Sequence, residues 1–173
     1  MERFLIPFLL YQIPEAFLLI TTALGLLGFK LRPGRLVAAG LGLGMITWLA
    51  RHFLFGLFGI GLHTWAILFA LTLALVIGFK ISLTTALTGC FLSFFLLLMG
   101  ESLIAAPVLT VTRISYSETL TNPWLHVGFG WISSIFLVVA SVASHIFGFI
   151  LITAPENLKD IQERLAKYAE KNE

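Results

Sequence analysis

Charged residues are scarce in this sequence. Asp, Glu, Lys and Arg make up 12% of its 173 residues, whereas a soluble domain carries about 25%. Hydrophobic residues reach 58%, which excludes an ordinary soluble domain and predicts an integral membrane protein. The net charge of +2 is too small to indicate a nucleic-acid partner, and no base-stacking motif accompanies it.

Cysteine is nearly absent, and the motifs of catalytic sites are missing. The single Cys90 excludes an internal disulfide and is interpreted as a small packing residue. The patterns GxSxG, HExxH and CxxC do not occur, and no nucleophile accompanies the acidic residues of the apolar segments. We therefore expect no enzyme activity and no cofactor. His52, His63 and His126 are all expected toward the outer face of the membrane. His126 is placed well above the other two by counting upward from Thr153, so no metal or haem site is predicted.

Long apolar segments dominate what remains. Five of them approach or exceed the spanning length of about 20 residues, at 4–29, 36–55, 63–79, 81–100 and 126–152. They predict an all-α, polytopic membrane helix bundle of about five spans over residues 1–152, followed by a polar tail domain at 153–173. Residues 101–112 contain Pro107 and are too short to span alone, so they suit a bent extension of the fourth span or a re-entrant piece.

Basic residues predict the orientation of the bundle, because cytoplasmic loops of membrane proteins are enriched in lysine and arginine. Five spans place eight basic residues on one side and three on the other. We therefore expect an inner (cell) membrane protein with its N-terminus outside and its C-terminus in the cytoplasm. The eight are Lys30, Arg32, Arg35, Lys80, Lys159, Arg164, Lys167 and Lys171, and the three are Arg3, Arg51 and Arg113.

A proline and a glutamate stand side by side in the first apolar segment, as Pro14 and Glu15. Pro14 is expected to free a backbone carbonyl and either to bend the first helix or to start its inner half. Pro107 is expected to bend the chain later. At 1.5 Å per residue, Glu15, Arg51 and His63 come within about 5 Å of one another in depth. Glu101 lies about one turn higher.

A charge in the hydrocarbon is costly, so these residues should face one another. The guanidinium of Arg51 is the expected partner of the Glu15 carboxylate. Two interpretations stay open. The pair either fixes helix register as a buried ion pair, or belongs to a polar pocket, made of Glu15, Arg51, His63 and Glu101, that binds a peptide or a small molecule.

The tail repeats apolar residues in a 3-4-3 pattern typical of a coiled-coil seam. It predicts a short cytoplasmic helix that pairs with a second copy or another protein. The alternative is an amphipathic helix on the inner leaflet of the lipid bilayer. The seam residues are Leu158, Ile161, Leu165 and Tyr168.

Four short motifs occur in the order YQIPEAF, FGIGLHT, GES with Pro107, and NPW. Across residues 1–152 they resemble the multi-span sensor modules that precede the kinase cores of some Gram-positive two-component receptors, including relatives of the accessory-gene-regulator quorum kinases. In that family the last span leads into a dimerising helix, a histidine-phosphotransfer domain and an ATP-binding core. The tail here has no histidine and the chain no nucleotide-binding motif, so the resemblance implies a sensor module without its own kinase.

These observations favour a ligand-sensing or signal-transducing membrane module, present as a homodimer or as a subunit of a membrane complex joined through the tail and the last span. Two other functions stay open. One is a small substrate-binding subunit of a transporter, since transporters use interrupted helices near the midplane. The other is a structural anchor or assembly subunit without a ligand.

Overall fold

The computed structural model of the chain describes residues 2–54 and 62–155, and within this part every regular element is a helix. The predicted all-α class is therefore confirmed. The side chain of His63 and the whole coiled-coil seam of the tail lie outside the description, so their proposed roles stay predictions. The seam comprises Leu158, Ile161, Leu165 and Tyr168.

Four long helices combine α-helical stretches with π-helical turns, and three shorter helices follow. Helix α1 comprises Glu2–Pro7, the π turn Phe8–Gln12 and Ile13–Leu26, and α2 comprises Pro33–Leu49 and the π turn Ala50–Leu54. Helix α3 comprises Leu62–Leu73 and the π turn Ala74–Gly78. Helix α4 comprises Leu83–Gly100, the π turn Glu101–Ala105 and Ala106–Thr112. The others are α5 (Tyr116–Thr121), α6 (Pro123–Ser133) and α7 (Ile135–Ile146).

Two of these helices are long and apolar enough to cross a membrane. They are Leu5–Leu26, with 22 residues, and Leu83–Thr112, with 30 residues. A third span results if Pro123–Ser133 and Ile135–Ile146, which meet at a bend of 48°, are counted as one. Thr64–Gly78 is a shorter apolar helix. By length and composition, two or three helices of residues 2–54 and 62–155 could span a membrane, which is compatible with a membrane protein.

Local side-chain chemistry explains where the helices begin. Pro33 occupies the first turn of α2, where its missing N–H costs nothing. The hydroxyl of Ser82 accepts a hydrogen bond from the Thr85 amide at the start of α4. Asn122 accepts from two amides at the start of α6, with Pro123 directly behind it. The helix starts at Pro33 and Leu83 lie within three residues of the predicted starts of the second and fourth apolar segments, at 36 and 81.

The end of the last apolar segment differs from the prediction. The expected span 126–152 begins at Pro123, bends by 48° between α6 and α7, and ends at Ile146. The hydroxyl of Ser133 binds the Gly130 carbonyl at 2.8 Å, next to the bend, as serine hydroxyls do where helices bend. Gly148, at φ +68°, then supplies the left-handed residue that commonly terminates a helix.

The chain after α7 turns back beneath the first helix. The amides of Leu151 and Ile152 both donate to the carbonyl of Leu26, at 2.9 and 3.1 Å. Carbonyls in the last turn of a helix have no partner within the helix. The apolar composition of 147–152 therefore reflects a helix-capping segment rather than the end of a span.

The apolar extension after Glu101 belongs to α4. The helix continues from Leu83 to Thr112 through Pro107, without a break, so 101–112 is an extension rather than a re-entrant loop. A π turn, Glu101–Ala105, directly precedes the proline. At 1.5 Å per residue, α4 is about 45 Å long.

Helix α1 lies at the centre of the bundle, where it contacts α2, α4 and α7. Its residues Ile20, Ala23 and Leu24 are fully buried, as expected of a helix that is apolar on every side. Two hydroxyls reinforce this packing: Thr22 donates to the carbonyl of Leu137 in α7 at 3.1 Å, and Ser93 in α4 donates to the carbonyl of Leu19 at 3.2 Å.

Small residues allow the close approach of neighbouring helices. A Cβ added to Gly40 would meet the Phe17 ring, and one added to Gly44 would meet the backbone of Ile13. The spacing of these two glycines predicts such packing, and here it joins α2 to α1. A Cβ at Gly100 would overlap the carbonyl oxygen of Ser133, which marks the contact between α4 and α6.

We expect Gly100→Ala to lower the free energy of unfolding by about 1–3 kcal/mol, the usual cost of overpacking. Backbone atoms of Ser133 oppose the new methyl group, and no change of rotamer can relieve the overlap. Unfolding in detergent micelles, followed by circular dichroism, measures the effect.

Gly128→Ala is the matched control, because nothing lies within 4 Å of a Cβ at that position. It should leave stability unchanged or raise it slightly, since alanine is the better helix former. Equal stability of the two variants would contradict the close contact between α4 and α6.

Candidate functional site

The polar site begins with the backbone of α1. Pro14 has no N–H to donate to the carbonyl of Leu10, four residues earlier, and a π turn, Phe8–Gln12, precedes it. The indole Nε1 of Trp131, in α6, donates to that carbonyl at 3.0 Å. Pro14 therefore provides an attachment point for α6, and the helix passes through the proline without ending.

Glu15 follows at once and is buried, with 2% of its surface exposed. The hydroxyl of Tyr11, one turn earlier, donates to Glu15 Oε1 at 2.5 Å. Residues four apart face the same side of a helix, so α1 supplies both members of this contact. Hydrogen bonds to a carboxylate are stronger than those between neutral groups.

The guanidinium of Arg51 approaches the same carboxylate from the π turn at the end of α2. Its Nη2 lies 2.9 Å from Glu15 Oε2 and donates to Oε1 at 3.2 Å. The arginine side chain is 24% exposed and that of Glu15 1%. The guanidinium also lies 5.4 Å from the centre of the Tyr11 ring, within the range of a cation–π contact. Tyr11, Glu15 and Arg51 thus form one connected cluster.

Two further ionisable residues surround this cluster. Glu101, in the π turn of α4, is exposed yet close enough to interact electrostatically with both Glu15 and Arg51. The His126 ring, in α6, contacts the Tyr11 ring with centroids 5.7 Å apart. Of the four π turns in the described residues, three contain a residue of the site, namely Tyr11, Arg51 or Glu101, in agreement with the frequent occurrence of π turns at functional sites.

Some polar atoms near the pair have no partner in the described part of the protein. Gln12 Oε1 and His126 Nε2 are buried and make no hydrogen bond there. Buried polar atoms are normally satisfied. These two are therefore available to a water molecule or to a polar ligand atom.

The pairing of Glu15 with Arg51, predicted from equal depth, is present in the structure. Glu101 lies within electrostatic range of both residues, as expected for a neighbour one turn higher. The side chain of His63 is outside the described residues. Whether Glu15, Arg51, His63 and Glu101 bind a ligand stays a prediction.

Sequence reasoning missed three residues of the site, Tyr11, Trp131 and His126. Tyr11 could have been found from the sequence, because it lies four residues before Glu15 and therefore on the same face of the helix. His126 was placed too high because its depth was counted from Thr153, whereas the helix ends at Ile146. Seven residues that are not helical were counted as helix, an error of about 10 Å.

No group of three or more His, Cys, Asp or Glu side chains that could hold a metal ion occurs within 2–54 and 62–155.

Comparisons with family models, curated proteins and solved structures gave no match. The resemblance to sensor modules accordingly rests on the four sequence motifs alone.

We expect Glu15→Gln to destabilise the protein, because Arg51 then keeps a half-buried charge without its partner. Adding Arg51→Met should recover part of the loss. A double-mutant cycle over these two sites should give a coupling energy of about 0.5–3 kcal/mol, measured by unfolding in micelles.

Ser141→Ala with Glu15→Gln is a suitable comparison cycle, since Ser141 bonds to Thr21 and lies on α7, away from the pair. Those two changes should be additive. A coupling energy of zero between Glu15 and Arg51 would show that the contact contributes nothing to stability.

Proposed function

We propose that this chain is a five-span inner-membrane protein with its N-terminus outside, and that it acts as a ligand-sensing membrane module. Five helical segments support the number of spans: α1, α2, α3, α4, and α6 with α7. The eight-to-three distribution of basic residues supports the orientation. The cluster around Glu15 then lies in the outer half of the bilayer.

The charge balance of that cluster carries the functional proposal. The carboxylate of Glu15 binds the guanidinium of Arg51 directly, and the second carboxylate, that of Glu101, interacts electrostatically with both groups. Within the described residues the arginine forms its salt bridge with Glu15 and not with Glu101. Ionisable residues within a membrane usually mark functional sites. A cationic group, such as the free amine of a peptide, is the complementary ligand.

The buried atoms without partners add to this argument. Gln12 Oε1 is an acceptor, and His126 Nε2 is either a donor or an acceptor according to its tautomer. Together with Glu101 they offer hydrogen-bonding groups to an amine and to the peptide groups next to it. Output would pass through the last span to the tail.

A structural role is the second candidate, and one observation favours it. Glu15 Oε1 accepts hydrogen bonds from both Tyr11 and Arg51, and Oε2 lies 2.9 Å from the guanidinium, so the charge of Glu15 is balanced within the protein. Buried ion pairs can specify helix register without any ligand. An anchor or assembly subunit needs no more than this.

The topology has a direct test. Reporter fusions after residue 33 should report the cytoplasm, and a fusion at residue 118 should report the exterior. A third fusion, after residue 158, should again report the cytoplasm. The reason is the excess of basic residues near the first and last sites. A cytoplasmic signal at residue 118 contradicts the five-span arrangement and the outer position of the cluster.

Ligand reception is tested with a short apolar peptide that carries a free amino terminus and with the same peptide acetylated at that terminus. Binding to the folded state raises stability by about 2.7 kcal/mol at 100 times Kd, and each kcal/mol shifts the melting temperature by about 2–4 °C. We expect the free peptide to raise the melting temperature of the protein in nanodiscs. The acetylated peptide should have no effect.

Glu101→Gln should abolish the shift, whereas Glu118→Gln should keep it. Glu118 is an exposed capping-box residue of α5, and glutamine serves that role as well. Equal shifts from both peptides, or a shift that survives Glu101→Gln, would count against an amine site and in favour of the structural role.

A further inference from the structure

A long apolar groove lies between α2 and α3, and none of the cluster residues Tyr11, Glu15 and Arg51 lines it. It has a volume of about 640 Å³, within the range of about 300–1,000 Å³ typical of ligand sites. Its walls are formed mostly by small or apolar residues, such as Ala38, Gly42, Ala70 and Ala74, and Arg35 stands at one end.

The groove exists because small residues face it without packing against another helix. On α2, side-chain and backbone atoms of α1 occupy the space beside Gly40 and Gly44, whereas a Cβ at Gly42 would meet nothing within 4 Å. Large apolar side chains such as Ile46, Phe69 and Ile77 belong to the groove and are exposed. The groove is therefore open along one side.

Arg35 is the one charged residue among those that line the groove. Its Nη1 atom is buried and has no hydrogen-bond partner in the described part of the protein. The residue also lies in the first turn of α2, where backbone N–H groups lack partners and the helix dipole is positive. A cation at this position is unfavourable by itself, and it becomes favourable when an anion binds there.

The length of the groove matches an extended hydrocarbon chain. From Arg35 to Ile46 the rise along α2 is about 16 Å, and from Gly78 to Ala66 along α3 it is about 18 Å. Apolar walls over this distance, with a single cation at one end, are complementary to an amphiphile with an acidic head.

We propose that this groove binds one acyl chain of an anionic phospholipid, whose phosphate is held by Arg35. The assignment of the headgroup to the inner leaflet rests on the proposed topology, whereas the groove and its charge do not. A helix from a second copy of the chain would fill the apolar walls but would place apolar atoms next to Arg35. Charge complementarity therefore favours the lipid.

The test compares phosphatidylglycerol with phosphatidylcholine of identical acyl chains, using native mass spectrometry of the whole protein released from mixed-lipid nanodiscs. We expect the wild-type protein to retain phosphatidylglycerol preferentially, by about fivefold. This factor corresponds to about 1 kcal/mol for one basic residue next to anionic lipid. Arg35→Gln should remove the preference, and Arg35→Lys should keep most of it.

Gly42→Leu fills the groove and should reduce the retention of both lipids. Gly128→Leu is its control, because a Cβ there also meets open space but lies in α6, away from the groove. Unchanged melting temperatures show that the variants fold. The proposal is overturned if wild type and Arg35→Gln retain the two lipids in the same ratio. It is also overturned if Gly42→Leu converts a dimer to a monomer while lipid retention stays unaltered, because the groove would then bind a second copy of the chain. No ligand of the polar cluster enters this measurement, so its outcome is separate from that of the sensing proposal.

Discussion

The burial of one carboxylate constrains the arrangement of the central helices. Glu15 lies on α1, which α2, α4 and α7 surround, and an unpaired charge in hydrocarbon costs about 2.5–3.5 kcal/mol on insertion scales. The hydroxyl of Tyr11 on the same helix and the guanidinium of Arg51 on α2 both bind this carboxylate and lower that cost. The relative register of α1 and α2 is fixed because the guanidinium has to reach the carboxylate. The Tyr11 ring in turn lies against Gly130, so α6 is held to the same site.

Close backbone packing supports this polar centre. Apolar side chains gain little by leaving lipid for the interior of a bundle, so helices in membranes associate through van der Waals contact and hydrogen bonds. Gly44 and Gly100 provide contacts of the first kind, to α1 and to α6. The indole of Trp131 on Leu10 provides one of the second kind. Pro14 thus contributes to helix association, because it leaves the carbonyl of Leu10 free to accept a hydrogen bond from Trp131 of α6.

The predictable features of this fold depend on distances along a single helix. The rise per residue is constant, so the sequence allowed the common depth of Glu15 and Arg51 to be computed. The position of His126 depends instead on the bend of 48° before α7 and on the helix end at Ile146. Hydropathy carries no signal for either, because 147–152 is as apolar as a span. Each π turn also inserts a residue and rotates the helix face by about 100°, which periodicity alone does not reveal.

The hydrogen bonds from Leu151 and Ile152 to Leu26 attach the segment after α7 to the last turn of α1. This segment is therefore held by the helix that carries Glu15, although α7 precedes it in sequence. This attachment is direct and does not depend on the bend between α6 and α7. From Glu15 to Leu26, α1 runs for about three turns, so one helix carries both the buried carboxylate and the carbonyl that holds the segment after α7.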